Sequence, residues 1–399
     1  MPSDASTGFR LRDVALTAYG PTVVSSIGHG AVLPVLALRA RDLGADVSTA
    51  AFVVALLGLG MLVASLPAGA VVARIGERRT LFLGGFVDAV AMTMAALGTS
   101  VLLLGVAVVL SGMSLTAFLI SRQSYMIDAV PASHRARALS ALGGSHRIGL
   151  FVGPLLGAGL IALSDLRAVF VLAAVMSVGA GTMAWLTPDL GSESRDQQRT
   201  AGHLNVRSVL LAHRRTLLTL GVAVVIISAT RMLRNTLLPL WADQVGISAS
   251  TTSLIFAFAA AVDIACFYPG GWLMDHHGRM IVAVPVVASF AVGALLLPMA
   301  TTVASVSAVV GLIALGNGLG SGIVMTLGAD AAPVAGRAQF LGGWRLCGDI
   351  GISGGPLLVT AVVAVAPLAT ACVIVGVVGL LGTGWVGYWT RQADVRRRS

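Results

Sequence analysis

The sequence predicts an all-α membrane protein of twelve transmembrane helices, arranged as two six-helix bundles related by a parallel internal repeat. Three observations predict it. Of the 399 residues, 56% are hydrophobic and 11% charged, with a mean hydropathy of +0.91, whereas a soluble domain carries about 25% charged residues. Apolar runs long enough to cross a hydrocarbon layer of ~30 Å recur along the whole chain. Landmark residues also return at a constant spacing of 202: Gly44 with Gly246, Gly69 with Gly271, Gly76 with Gly278, Asp128 with Asp330, Pro131 with Pro333 and Arg135 with Arg337.

Taken in order, the runs fall at roughly 14–37, 50–72, 80–99, 101–121, 138–162, 166–187, 216–242, 250–273, 279–299, 303–326, 342–365 and 368–389. Six lie in each half. An even number starts both halves on the same side of the membrane, which makes the repeat parallel. The expected division is an N-terminal bundle over 1–187, a linker over 188–215 and a C-terminal bundle over 216–399. The linker is polar and mixed in charge, with Arg195, Arg199, Arg207, Arg214 and Arg215 against Asp189, Glu193 and Asp196.

Arginines set the orientation. Arg10, Arg12, Arg74, Arg78, Arg79, Arg135, Arg137, Arg279, Arg337, Arg391 and the run from Arg396 to Arg398 all fall on one side, so both termini are expected in the cytoplasm. The net charge of +9, carried without a lysine, reads as this anchoring and not as nucleic-acid binding. The bias toward Arg, Ala, Gly and Val suits a GC-rich bacterial genome and a location in the bacterial cell membrane. Cys266, Cys347 and Cys372 lie in apolar runs, which argues against a disulfide framework. The first thirteen residues are polar and the apolar run after them is long enough to span, so no cleavable signal is expected.

The fifth run contains Gly149, Gly153 and Gly157 in a four-residue stripe with Pro154, and the eleventh repeats it as Gly351, Gly355 and Pro356. A glycine stripe lets another helix approach closely, and the proline removes a backbone donor. This stretch resembles the antiporter signature of the major facilitator superfamily, Gly-x-x-x-Gly-Pro-x-x-Gly-Gly, with Ala158 in place of the last glycine. Two loops carry the same resemblance. Gly69 to Arg79, with Gly76 and Arg78, and Gly271 to Arg279, with Asp275 and Gly278, are similar to the superfamily's Gly-x-Leu-x-Asp-Arg-x-Gly-Arg gating loop. The second copy keeps the acid as Asp275. The first has Ala73 there, and Glu77 where a basic residue is usual. The resemblance implies a hinge at the stripe, sliding between the bundles, and a latch at the loops.

Charges inside a membrane cost about 2.5–3.5 kcal/mol on insertion scales, so each needs a partner or a role. The polar and charged residues within the runs are His29, Asp88, Arg147, Arg231, Arg234, Asn235, Asp263, Asn317, Arg345 and Asp349. Arg231, Arg234 and Asn235 share one face of the seventh helix. The resemblance places helices one, four, seven and ten around the central cavity, which makes His29, Arg231, Arg234, Asn235 and Asn317 the substrate-facing candidates. Asp263, Arg147, Asp349 and Asp88 are the proton-coupling and ion-pair candidates. Equal depth predicts an Arg147 to Asp263 bridge between the halves, and Asp349 is expected to pair with Arg345, Arg231 or Arg234.

The superfamily's exporters often carry an arginine midway along helix four and an acid on helix one. Here Gly112 stands near the first position, Arg122 lies toward the helix end, and helix one offers only His29. His276 and His277 beside Asp275 find no further ligand at metal-binding spacing. With no nucleophile and base arrangement either, no enzyme activity and no cofactor are expected. The resemblance implies a monomeric secondary transporter exchanging a small amphiphilic compound or drug for protons by alternating access. The alternative is an uptake symporter or facilitator for a small anionic solute, to which the basic faces of helices five and seven would be suited.

Overall fold

The computed structural model describes residues 15–129, 135–186, 206–333 and 336–398, and among these it contains only helices and connecting turns. The first bundle comprises α1 (Ala15–Val32), α2 (Val47–Ile75), α3 (Glu77–Leu97), α4 (Val101–Ala129), α5 (Arg135–Leu163) and α6 (Leu166–Trp185). The second comprises α7 (Val222–Gln244), α8 (Ala249–His277), α9 (Met280–Leu296), α10 (Val303–Leu319), α11 (Arg337–Val363) and α12 (Leu368–Arg398). Eleven of the described helices are long and apolar enough to cross a membrane, or twelve when α1 is joined across a 43° bend to the segment Leu36–Asp42. α10 likewise continues, after a break at 320–322, as Ile323–Ala331. Within the linker, Val206–Ala212 is helical.

Helix ends follow local chemistry. Asp46 accepts from the Thr49 amide at 2.7 Å to start α2, and its repeat mate Ser248 accepts from the Thr251 amide at 3.2 Å to start α8. Gly76 and Gly278 close α2 and α8 with φ of 86° and 102°, a conformation in which a side chain would be strained. At the far end of α3, Arg39 donates to the Gly98 carbonyl at 2.9 Å. Its repeat mate Trp241 donates to the Ala300 carbonyl, the mate of Gly98, at 2.8 Å. Two unrelated donors therefore satisfy the same orphan carbonyl in the two bundles.

Within the bundles α1 packs on α5 and α7 on α11, while α5 meets α8 and α2 meets α11 between them. The glycine stripe serves the first kind of contact, which corrects the expectation of a surface between the halves. A Cβ on Gly153 would lie 2.4 Å from the Ile27 carbonyl oxygen, and one on Gly149 would lie 2.4 Å from the Ser26 Cβ, both on α1. In the second bundle a Cβ on Gly351 would lie 2.3 Å from the Val225 carbonyl oxygen and one on Gly355 2.9 Å from that of Ala229, both on α7. The interface between bundles uses a different face of α5, because the stripe is already filled by α1. Gly157 is in ordinary contact with Ala31, and Pro154 and Pro356 lie within continuous helices.

Large apolar side chains such as Leu102, Tyr268 and Leu381 cover the outer surface. An exterior of this kind, over helices that satisfy their own backbone, suits lipid. The chain is a multi-pass membrane protein.

Candidate functional site

The two bundles meet along two seams. On the α5 and α8 seam Ser250 donates to the Ala158 carbonyl at 2.9 Å, and the Arg147 guanidinium lies 4.6 Å from the centre of the Phe267 ring. On the α2 and α11 seam Ser48 donates to the Thr360 carbonyl at 3.0 Å, and the Ser65 hydroxyl donates a short hydrogen bond to Asp349. Near the end away from the linker, Arg41 binds Asp243 at 3.2 Å across the halves. Gly58 permits the second seam, since a Cβ there would stand 2.8 Å from the Ser353 amide nitrogen.

Asp263 is buried on α8, but its partner is Arg234 of α7 at 3.1 Å within the same bundle. The expected Arg147 to Asp263 bridge is not formed, although each lies within electrostatic reach of the other. Matching depth did not suffice: Phe267, one turn along α8 from Asp263, takes the Arg147 guanidinium against its ring. Asp349, also buried, makes no ion pair with Arg345, Arg231 or Arg234, because a neutral hydroxyl from the other bundle occupies it. Arg231 donates to the Gly320 carbonyl at 2.8 Å, where α10 breaks. A cation there meets the negative end of the α10 dipole. Asn235 contacts the Met232 sulfur, and the buried Oδ1 of Asn317 has no hydrogen-bond partner. Gly318, beside Asn317, lets α10 approach the Asp263 backbone.

His29 and Asp88 come together inside the first bundle, not at the seam. Asp88 accepts from Ser111 at 2.6 Å and from Ser177 at 2.5 Å, and its Oδ2 stands 3.7 Å from His29 Nε2. A carbonyl can only accept, so the 3.0 Å contact of His29 Nδ1 with the Ser25 oxygen fixes the ring proton on Nδ1. Nε2 then faces the carboxyl, beyond direct hydrogen-bond reach. These groups border a cavity of about 10 Å³ that reaches Gly85, Ser114 and Phe118, room for about one water molecule. Arg122 is also interior. It is 1% exposed and lies within 3.4 Å of the Thr22 hydroxyl, because α4 runs on to Ala129 and carries it inward from the helix end. Gly112 has no room for a side chain: a Cβ there would stand 2.2 Å from the Leu57 carbonyl oxygen.

The loop residues act within their own bundles. Arg78 lies over the Trp185 ring at 4.6 Å, and Glu77 accepts from Ser124 at 2.9 Å. Arg279 binds Asp330 at 2.9 Å and reaches Asp275 at 3.8 Å, so Asp275 makes no latch to the other half in this conformation. Asp394 of α12 caps the amides of Arg279 and Met280. Gly76 and Gly278 are required by their φ, whereas a Cβ on Gly69 or Gly271 would meet nothing within 4 Å. Pro131 and the side chains of Asp128, Arg135 and Arg337 lie outside the described residues. Among the described residues no cluster of ligands could hold a metal.

Sequence reasoning missed Ser65, Ser111, Ser177, His146 and Asp394. His146 sits 2.6 Å from the Ser26 hydroxyl, beside the glycine stripe. Serines are too common in helices to signal a buried carboxylate partner.

The family model described as Major Facilitator Superfamily matches residues 22–356 and 220–398. The chain is 29% identical over 178 residues to "Multidrug resistance protein MdtG" of Erwinia billingiae (strain Eb661), covering 44% of this chain and 43% of that protein. It is 26% identical over 176 residues to "Multidrug resistance protein 2" of Bacillus subtilis (strain 168), covering 44% of each. A fungal relative, "MFS-type transporter ppzB" of Metarhizium rileyi (strain RCEF 4871), is 29% identical over 179 residues, covering 43% of this chain and 36% of that protein. The chain thus spans less than half the length of these curated relatives.

Proposed function

Because the chain belongs to the Major Facilitator Superfamily, whose members are transporters and not enzymes, we propose that it is a secondary active transporter that exports a small amphiphilic compound in exchange for protons. The bacterial relatives carry the name multidrug resistance protein, which supports a drug-like substrate. The observation that carries the proton-coupled reading is Asp349. It is a buried carboxyl on α11 whose direct partner is a hydroxyl on α2 of the other bundle. Protonation at that atom changes what Ser65 can donate to, and so acts on the seam along which the bundles rock. Arg345 lies one turn away on the same helix, and Ser353, whose hydroxyl bonds the Asp349 backbone carbonyl at 2.9 Å, lies one turn the other way. In this reading the termini face the cytoplasm, the protein works as a monomer in the bacterial inner membrane, and the Arg41 to Asp243 end opens when substrate leaves.

The test is transport in proteoliposomes, using a panel of fluorescent amphiphiles of both charges with and without an imposed pH gradient. Acid outside should drive countertransport. Asp349→Asn should keep exchange without a gradient and lose gradient-driven accumulation. Retained accumulation in that variant removes Asp349 from the coupling. The alternative is uptake of a small anionic solute by symport or facilitated diffusion, and co-directional movement of proton and solute would select symport.

A further inference from the structure

Charges at the α5, α7 and α8 junction do not balance. Arg147, Arg231 and Arg234 converge on one carboxylate, Asp263. The contacts are continuous: Arg147 covers Phe267, Phe267 and Asp263 share a face of α8 four residues apart, Asp263 binds Arg234, and Arg231 precedes Arg234 by one turn. Arg231 senses both other arginines as well as Asp263. Two positive charges are left in excess. The Gly320 carbonyl and the α10 end offset about half a charge at Arg231. Among the described residues, nothing anionic lies within ion-pairing distance of Arg147.

Three atoms of this junction, Arg231 Nε, Arg234 Nε and Asp263 Oδ1, are buried without a hydrogen-bond partner. Unpartnered donors and an excess of positive charge in a membrane interior are both costly; an arriving anion supplies acceptors to the donors and offsets the excess, while Asp263 stays with Arg234. We propose that this junction is an anion subsite, in which Arg147 and Arg231 hold the carboxylate of an amphiphilic solute while its apolar body lies along Phe267. The guanidinium fork matches a carboxylate in shape as well as charge. Arg147 belongs to the first bundle and Arg231 to the second, so such an anion ties the two together. The inference rests on the transport reading and narrows its substrate class.

The experiment is calorimetric titration of the purified full-length protein in phosphatidylcholine nanodiscs with octanoate and 1-naphthylacetate, each against its neutral amide, and with 1-naphthylmethylammonium. The acids should bind at least about tenfold tighter than their amides or the amine. Arg147→Gln should weaken the acids about tenfold, and Asp263→Asn, which removes the competing carboxylate, should tighten them. Opposite signs cannot come from misfolding. Should Asp263→Asn fail to yield folded protein, the ligand series and Arg147→Gln decide alone. Equal binding of acid and amide, no binding of either acid, or no effect of Arg147→Gln overturns the proposal. Loss of acid binding in phosphatidylglycerol nanodiscs would assign the subsite to a lipid headgroup and overturn the solute reading. Anion binding without any transport would count against export and not against the subsite. Equal transport of acid and amide would do the reverse.

Discussion

The α5–α8 seam and the α2–α11 seam are copies of one another, and they agree at one end and diverge deeper in. Toward the end that Arg41 and Asp243 close, the copies agree. Ser48 and Ser250 are 202 residues apart, as are their acceptors Ala158 and Thr360, and both serines donate to a carbonyl of the opposite bundle. Arg41 and Asp243 are themselves repeat mates, and pair across the axis. One level deeper the copies part. Arg147 has become Asp349 and Phe267 has become Ser65, so a cation on an aromatic ring faces a carboxyl on a hydroxyl. The same backbone geometry thus presents a cation on one seam and a carboxyl on the other. Duplication preserves the contacts that hold the bundles together, and divergence at this rung gives a symmetric scaffold its chemistry.

The most damaging way to break this comparison is to dislodge the helices that present the two rungs. Arg147 is aimed by the tight pairing of α1 with α5, where Gly153 has no space for any side chain. Gly153→Leu should yield little folded protein, read as loss of a monodisperse peak in detergent. Gly153→Ala should cost about 1–3 kcal/mol by overpacking. Gly354→Ala is the control, since a Cβ there meets nothing within 4 Å, and it should leave the unfolding temperature unchanged or slightly raised.

A smaller effect separates the rungs themselves. Ser65→Ala strips Asp349 of its hydrogen bond while leaving the carboxyl buried, which costs about 1–3 kcal/mol. Phe267→Leu on the other seam removes a ring from under Arg147 but keeps most of the apolar volume, with a cation–π loss of about 0.5–1 kcal/mol. Thermal unfolding of the two variants in nanodiscs should therefore rank Ser65→Ala as the less stable. The reverse order would mean that the α5–α8 seam is the stronger of the two.

Much of this architecture was legible in the sequence. Twelve apolar runs and the 202-residue spacing located the helices, the two bundles and the turn glycines Gly76 and Gly278, because span length and backbone handedness are local properties. Depth along a helix was also legible: Arg147 and Asp263 do come within electrostatic range of each other. What could not be read was which way each side chain turns. Arg234, on the neighbouring helix of the same bundle, reached Asp263 first, and Phe267 offered Arg147 an alternative that no charge count reveals. The glycine stripe was visible, but not whether its partner was α1 or the other bundle. His29 pointed inward to Asp88 because Ser25, one turn before it, fixes its ring.

The smallest expected effect compares the repeat-related caps, where the two bundles solve one problem with different chemistry. Asp46 caps α2 and Ser248 caps α8, each accepting from the amide three residues on. Loss of either cap to alanine should cost about 1 kcal/mol near neutral pH. Only Asp46 titrates. Its carboxyl is held below the usual carboxylate range, first by hydrogen bonding from the Thr49 side chain, then by the Thr49 amide, with Arg41 adding to both. A folded-state value below the unfolded one means that the ionised cap stabilises the protein above the unfolded value of ~3.9, and that this contribution disappears as pH falls through the lower folded value. The gap in unfolding temperature between the parent and Asp46→Ala should therefore narrow below about pH 4. The gap between the parent and Ser248→Ala should stay constant over the same range, because a hydroxyl carries no charge to lose. Parallel behaviour of the two variants in acid would show that Asp46 acts through its hydrogen bond alone and that its charge contributes nothing to the helix start.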